Sequence, residues 1–391
     1  MNIQTDPSLL KGAVKPLPVN AAPIRSTFYH EANLRKRGED LARKKSAVPC
    51  YTAFDFQRRI RENGKKILQV YRTMNEAQAR GEVVTPAAQW LLDNYYLIEE
   101  TVFQVKRDLP RRFYKELPAE SFGGEAPIPR ALAIAWAYVA HSDSSVSAAM
   151  FEAVVEGYQS VYPLKIGELW ALPSLLRFVL IENLRRIADR VNRSRDMRLL
   201  ANTLADKLAI EGDNEGTPGM LAGYAAHALD TTFATQLLHR LRDGSQSAGR
   251  ALMWLEDELE RHGTHAEATI FAEHQTLSSG NVTMANIVRG LRLINDVEWT
   301  VWFEEISKVD ELLRKEVRFS DLDFSSRDRY RTKIEELAKG SDLTEFGVAE
   351  RAIALSKQAT AEGSDTADIG FFLAGDRLGE LEAAIGYRIP S

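Results

Sequence analysis

The clearest pattern of apolar and polar positions lies in residues 163–191. A short turn there ends at Pro173, and the apolar residues that follow recur every three or four positions, which is the spacing of one face of an α-helix. These residues are Leu176, Leu180, Leu184, Ile187 and Val191. Leu175, Phe178 and Ile181 widen this apolar face. The pattern therefore predicts a deeply packed helix with neighbours on two sides.

Helical spacing recurs along most of the chain. Residues 54–80 and 85–110 each predict one helix, and the second of these ends at Pro110. Beyond residue 196, separate helices are predicted at the ranges 196–210, 220–229, 231–241, 249–261, 265–277, 282–293, 298–315, 325–339, 344–360 and 368–385. No segment alternates as a half-buried strand would. We therefore expect an all-α fold of consecutive antiparallel helical hairpins, arranged as a curved array or an α/α toroid.

Breaks in these patterns divide the chain into four parts. Residues 1–50 contain five prolines and predict a mobile, basic arm. Residues 51–210 predict a first helical lobe. The Gly-, Asp- and Pro-containing stretch 211–219 predicts a linker, and residues 220–391 predict a second helical lobe.

The amino-acid composition limits the classes of protein to which this chain can belong. The chain has 45% hydrophobic residues over 391 positions, enough to bury a large core, and a net charge of −5, which argues against a dedicated nucleic-acid binder. Cys50 is the single cysteine, so no internal disulfide can form and a reducing compartment is expected. The N-terminus has no apolar leader, and residues 131–140 form an apolar run too short to span a bilayer. These features predict a soluble cytoplasmic chain.

Several long motifs resemble one family. They are PLKIGELWALPSLLRFVLIENLRRIAD (163–189), WLLDNYYLIEE (90–100), KRDLPRRFYKELP (106–118), GNVTMANIVRGLRLI (280–294), DFSSRDRYR (323–331) and DIGFFL (368–373). In this order they resemble the N-terminal region of the cyclic β-1,2-glucan synthases, large bacterial inner-membrane glycosyltransferases. The resemblance covers residue 85 to the C-terminus. It implies part of a synthase or a free-standing relative of that part.

The resemblance also implies partners. In the family, membrane spans and a UDP-glucose-dependent glycosyltransferase portion follow this region, at the cytoplasmic face of the inner membrane. The basic run in the arm could add an anionic membrane surface as a partner, although a solvated charge run is the simpler interpretation. Its cations are Arg35, Lys36, Arg37, Arg43, Lys44 and Lys45.

One helix face carries candidate sugar contacts. Asp93, Tyr96, Glu100 and Gln104 follow one line of the helix predicted at 85–110. Carboxylates accept hydrogen bonds from sugar hydroxyls, and an aromatic ring packs against a pyranose. The spacing of Asp93 and Glu100, on the order of 10 Å along one helix, does not specify a catalytic pair. A structural or interface face is the simpler interpretation of these residues, and a β-1,2-glucan contact is the functional one.

A second candidate pair is Glu168 with Trp170, an acid beside an aromatic ring. The simpler interpretation is that Glu168 complements the helix dipole while Trp170 packs. Asp321 and Asp323 have the spacing of a metal-binding Asp-x-Asp motif, but they also precede a helix as a cap would. We predict no catalytic residue, metal or cofactor in this chain.

Two functional hypotheses follow. The first is a non-catalytic helical module of cyclic β-1,2-glucan synthesis that supports the glycosyltransferase portion and guides the glucan. The second is an autonomous β-glucan hydrolase or transglycosylase with its acids among Asp93, Glu99, Glu100 and Glu168. The second rests on analogy with other all-α glycosidases rather than on a recognisable site.

Overall fold

The computed structural model of the chain describes residues 22–43, 55–120, 127–212, 214–243 and 249–389. Its first helices are α1 Glu31–Arg43, α2 Phe56–Ala79, α3 Pro86–Asp93, α4 Tyr95–Asp108, α5 Arg111–Glu116, α6 Arg130–His141, α7 Ala148–Gln159 and α8 Ile166–Glu211. The later helices are α9 Thr217–Ala222, α10 Thr231–Arg242, α11 Gly249–Arg261, α12 Ala266–Asp296, α13 Trp299–Ile306, α14 Lys308–Leu313, α15 Val317–Ser320, α16 Phe324–Lys339, α17 Glu345–Ala361, α18 Ile369–Ala374 and α19 Leu378–Ile385. Strands β1 Ala119–Glu120 and β2 Ile128–Pro129 form a small antiparallel pair. The all-α class is confirmed.

Helix α8 is the axis of the fold. Its 46 residues pack against α2, α4, α6, α10 and α12, and the face predicted from the sequence is buried throughout residues 175–188. The expected stop at Pro173 and the separate helix at 196–210 are wrong, because the helix continues through both. A proline removes one backbone donor, and the surrounding apolar burial outweighs that local loss.

Two hydrophobic clusters lie along this axis. The main cluster combines residues 24–191 with residues 284–385, and the smaller cluster gathers residues 201–266 around the C-terminal half of α8. The stretch predicted as a linker ends α8 at Gly212, where φ is +69°, and then begins α9. Residues 284–385 of the predicted second lobe share the main cluster with the predicted first lobe, and the boundary at 211–219 stays a prediction.

The N-terminal segment packs onto the main cluster. Ile24 and Leu34 are buried, and α1 crosses α7 closely. Residues 22–43 of the predicted mobile arm are thus packed against the rest of the protein, whereas residues 1–21 and 44–50 lie outside the described residues. The crossing depends on Gly38 and Gly157, since a Cβ at Gly157 would lie 1.9 Å from the carbonyl oxygen of Arg35.

A buried ionic network ties α2 to α8. The fully buried Glu182 carboxylate accepts hydrogen bonds from Arg59 Nε at 3.0 Å, Arg186 Nε at 2.9 Å and Asn63 Nδ2 at 2.9 Å. Burial by itself would raise the pKa of Glu182, but the charges of Arg186, Arg59 and Arg185 outweigh it and hold the pKa below its ordinary value. The carboxylate is therefore ionised within a group of arginines.

Several predicted helices have different bounds. The helix predicted at 85–110 is broken at Asn94, whose φ and ψ are −122° and 17°. The helices predicted at 265–277 and 282–293 are one continuous α12. Each of the segments predicted at 298–315 and 368–385 is divided into two helices. The single helix predicted at 220–229 is wrong, because this segment holds the end of α9 and a separate 3₁₀ turn, Ala225–His227. No helix within the described residues is both long and apolar enough to cross a bilayer.

Contacts between helices that are distant in sequence dominate the packing. Helix α1 packs on α7, α3 packs on α12, and α8 contacts helices from both ends of the chain. Predicted consecutive hairpins do occur, as in the contacts of α16 with α17 and α18 with α19. These contacts do not establish a toroid.

Candidate functional site

The candidate sugar-contact line begins on α3 and continues on α4. Asn94 separates the two helices, donating through Nδ2 to the Trp90 carbonyl at 2.9 Å and accepting through Oδ1 from Arg292 at 2.5 Å. Asp93 therefore ends α3, where its carboxylate accepts a hydrogen bond from Gln89 at 2.7 Å. The sequence line is consequently not one continuous helical face.

The α4 part of the line is exposed. Tyr96 is 78% exposed, and Phe103, seven residues later on the same side of the helix, is 63% exposed. Glu100 lies between them and accepts a hydrogen bond from the partly buried Gln104 at 3.4 Å. The prediction named Tyr96 but not Phe103, although the spacing of seven residues between two aromatic rings was available in the sequence.

A groove between α2 and α4 adjoins this face. It has a volume of about 400 Å³, and Phe103 lines it beside the carboxylate of Glu99 and the cations Arg61, Lys65 and Lys106. Gly64 of α2 faces α4, where a Cβ would lie 3.2 Å from a methyl group of Val102. The groove thus offers an exposed ring for stacking, together with hydrogen-bond donors and an acceptor. Saccharides bind to proteins through these two kinds of contact.

Glu168 and Trp170 have structural contacts instead. Glu168 is 1% exposed and forms a bidentate ion pair with the buried Arg130, whose Nε lies 2.7 Å from Oε1. Trp170 stacks on Phe303 with ring centroids 4.3 Å apart. The Glu168 carboxylate is thus engaged by Arg130 within the protein, and a sugar contact through Glu168 and Trp170 stays a prediction. The helix-dipole interpretation of Glu168 agrees with its position in the first turn of α8.

Three glutamates cap the start of α8. Glu168 Oε2 accepts from the Lys165 amide at 2.9 Å, Glu345 Oε2 accepts from the Ile166 amide at 2.7 Å, and Glu335 accepts from the Gly167 amide. They come from α8, α17 and α16, so the cap joins three helices. A cavity of about 220 Å³ lies beside these side chains.

Two of these carboxyl groups have raised pKa values. Burial raises the pKa of Glu345 to about 7, and the nearby carboxylate of Glu335 adds to this rise, while the Ile166 amide and Lys165 oppose it. Burial also raises the pKa of Glu335. A protonated Glu345 is therefore favoured in the folded protein below about pH 7.

We expect Glu345→Gln to remove part of the pH dependence of stability. Since the folded pKa of about 7 exceeds the unfolded value of 4.5, Glu345 contributes stability that is complete below pH 4.5 and lost as the pH rises through 7. The full loss is about 3 kcal/mol. In urea unfolding, the variant should match the wild type near pH 4.5 and exceed it in stability at pH 8.

Glu350→Gln provides the control, because Glu350 lies exposed on the same helix. That substitution should leave the pH profile of the unfolding free energy unchanged. If the difference in unfolding free energy between the wild type and Glu345→Gln stays constant from pH 4.5 to pH 8, the expectation is contradicted.

The basic residues of the N-terminal segment differ in their surroundings. Arg37 is buried, Arg35 pairs with Glu156, and Arg43 pairs with Glu39 at 3.0 Å. Lys36 is exposed. Lys44 and Lys45 lie outside the described residues. A membrane contact through these basic residues remains a prediction, to which the buried Arg37 offers little accessible surface.

The Asp321–Asp323 pair has a structural explanation. Asp323 caps α16, its Oδ1 accepting a hydrogen bond from the Ser326 amide at 2.6 Å. The predicted helix cap is therefore confirmed. Within the described ranges, no three His, Cys, Asp or Glu side chains are grouped so that they could hold a metal ion.

Comparison with known proteins gives one informative result. No protein-family model matches the chain. The chain is 50% identical over 370 residues to the cyclic beta-(1,2)-glucan synthase NdvB of Rhizobium meliloti (strain 1021), and this match covers 93% of the chain. It covers only 13% of that protein's length, which is consistent with the N-terminal region indicated by the sequence motifs. The chain is therefore a relative of one region of the cyclic β-1,2-glucan synthases.

Proposed function

We propose that this chain is a helical region of cyclic β-1,2-glucan synthesis that does not itself transfer glucose, and that it supports a glycosyltransferase portion and guides its glucan. The observation that carries the proposal is the 50% identity over nearly the whole chain to a region of a cyclic beta-(1,2)-glucan synthase. The region would lie at the cytoplasmic face of the inner membrane, beside its membrane-embedded partner.

The exposed face of α4 supports a role in glucan contact. Tyr96 and Phe103 present their rings to solvent, and the groove next to them contains both a carboxylate and cations. A glucan strand is neutral and rich in hydroxyl groups, so it can stack on the rings and hydrogen-bond to both kinds of charged side chain. Asp93, Glu100 and Gln104 are its remaining proposed contacts.

The placement of the acids favours a non-catalytic role. Glycoside hydrolysis requires two carboxyl groups on opposite sides of one sugar-binding cleft. Glu168 is buried and paired with Arg130, which leaves it poorly placed to serve as one of these two acids. No observation favours the autonomous hydrolase.

A chimaeric synthase tests the proposal. The matching region of the Rhizobium meliloti synthase is replaced by this chain, and cyclic glucan is measured in cells that lack their own synthase. We expect synthesis close to the parental level. Combining Tyr96→Ala with Phe103→Ala should lower the glucan yield by about fivefold or more, because two stacking surfaces are lost.

Met253→Ala is the matched control, since Met253 is 64% exposed on α11 and lies far from α4 in sequence. Its chimaera should make as much glucan as the unmodified one. The amount of synthase in the membrane is measured by immunoblot, so that a loss of protein is separated from a loss of synthesis. A chimaera that accumulates normally but makes no glucan would contradict the proposed function.

A further inference from the structure

A second groove lies where three segments of the chain meet. They are the N-terminal segment before α1, the turn between α6 and α7, and the middle of α12. The groove has a volume of about 610 Å³. The side chains important for its chemistry are Arg25, Phe28, Asp143, Gln275, Ser278 and Val282.

The turn holds one carboxylate of this groove in a fixed position. Asp143 and Ser144 have φ values of 50° and 61°, in the left-handed region that non-glycine residues seldom occupy. Asp143 accepts hydrogen bonds from Arg25 at 2.8 Å and from Thr283 Oγ1 at 2.6 Å, and its backbone carbonyl accepts one from Asn286. Contacts from two other segments thus stabilise an unfavourable backbone conformation and fix the direction of the carboxylate.

Buried contacts anchor this arrangement to α8. Asn183 accepts a hydrogen bond from the Ile24 amide at 2.6 Å and donates one to Ser144 Oγ at 2.8 Å. Asn183 is fully buried. The N-terminal segment and the turn therefore keep their relative positions, and the groove between them is built before any ligand arrives.

The wall formed by α12 is polar and available. Gln275 and Ser278 are exposed, and neither side chain makes a hydrogen bond within the described residues. Gln275 offers both donors and an acceptor, and Ser278 offers a hydroxyl group. Val282 adds an apolar edge that is 53% exposed.

Phe28 provides an aromatic surface at the same groove. Its side chain is 58% exposed, although it follows closely on a segment that is packed onto the core. The Arg25 guanidinium lies 5.6 Å from the ring centroid. The ring is therefore positioned by a neighbour while much of it still faces solvent.

The charges of the groove favour a neutral ligand. Arg25 and Asp143 neutralise each other, so an anion would meet the carboxylate and a cation would meet the guanidinium. A saccharide can exchange hydrogen bonds with the exposed Gln275 and Ser278 and pack a ring face on Phe28, while Asp143 holds Arg25 in place. We propose that this groove is a binding subsite for a few glucosyl units of a β-linked glucan strand, an inference that rests on the proposed function.

Calorimetric titration of the full chain with linear β-1,2-linked gluco-oligosaccharides tests this subsite. Phe28→Ala should weaken binding by about tenfold, and Gln275→Ala by about threefold or more, because a stacking surface or a hydrogen-bonding group is lost. Phe271→Ala is the control: Phe271 is 64% exposed on α12 and does not line the groove. Its affinity should equal that of the wild type, and thermal melts verify that every variant is folded.

The same titration of the Tyr96→Ala, Phe103→Ala double variant separates the two sites. If Phe28→Ala and Gln275→Ala both bind as the wild type does while the α4 variant loses affinity, this subsite is overturned and the α4 contact of the proposed function stands. If the wild type binds no oligosaccharide, the subsite is also overturned, and the chimaeric synthase decides independently whether the region supports synthesis. Loss of affinity in the groove variants alone supports the subsite and removes the α4 face as the glucan contact.

Discussion

Replacing Glu182 with glutamine should lower the free energy of unfolding by about 3–5 kcal/mol. The substitution keeps the shape of the side chain but removes its charge, which leaves Arg59, Arg185 and Arg186 together without the carboxylate that they surround. Arginine remains charged under these conditions, so the uncompensated charges cannot be relieved by losing protons. Urea unfolding followed by circular dichroism measures the change.

Glu62→Gln is the comparison for this substitution. Glu62 forms an ion pair with Arg58 at 2.8 Å, but both side chains are about half exposed or more. Removing that pair should change the unfolding free energy by less than about 1 kcal/mol. Equal effects of the two substitutions would mean that the buried network contributes no more stability than a surface pair.

Replacing Gly157 with alanine should detach α1 from α7. The new methyl group would lie 1.9 Å from the Arg35 carbonyl oxygen and 2.7 Å from its carbonyl carbon, both in the backbone of α1. Backbone atoms cannot move aside as a flexible side chain can, so the helices must separate. Overpacking of a core commonly costs about 1–3 kcal/mol, and we expect the upper end of that range here or more.

Limited proteolysis measures this detachment, because released residues 22–43 become a substrate while the rest of the protein stays resistant. Gly280→Ala is the control: Gly280 also lies within a helix, but a Cβ there would meet nothing within 4 Å. Alanine in a helix interior is favoured over glycine by about 1 kcal/mol, so this control should be as resistant as the wild type. Unchanged cleavage of Gly157→Ala would show that α1 and α7 tolerate a wider spacing.

The helices were predictable from the sequence because their apolar positions recur at helical intervals, and the buried face of α8 is the clearest case. The ends of helices were less predictable. Pro173 and the Ser-Ser-Gly stretch at 278–280 both favour a break locally, yet α8 and α12 continue through them because both helices are held by packing on several sides. The sequence around Asn94 did not indicate a break in the helix. In the structure, Asn94 ends α3 through contacts with Trp90 and Arg292.

Contacts between residues that are distant in sequence could not be predicted either. Nothing near Gly38 in the sequence indicates that it will meet Gly157, and the prolines around it suggested a free arm instead. Glu168 was selected as a sugar contact because it stands beside Trp170, but its partner Arg130 is 38 residues away. Tyr96 and Glu100 could be assigned to one exposed face because residues four apart on a helix are neighbours. Their contact with glucan stays a prediction.

The continuity of α8 restricts how this fold can change length. At 1.5 Å per residue, its 46 residues extend over roughly 70 Å and carry the glutamate cap, the arginine network and the smaller cluster in turn. Inserting a single residue after Val191 would rotate everything beyond it by about 100°. Every contact of the smaller cluster with the rest of the protein would then face a new direction, so we expect a residue inserted into or deleted from α8 to be tolerated less well than one in a connecting loop.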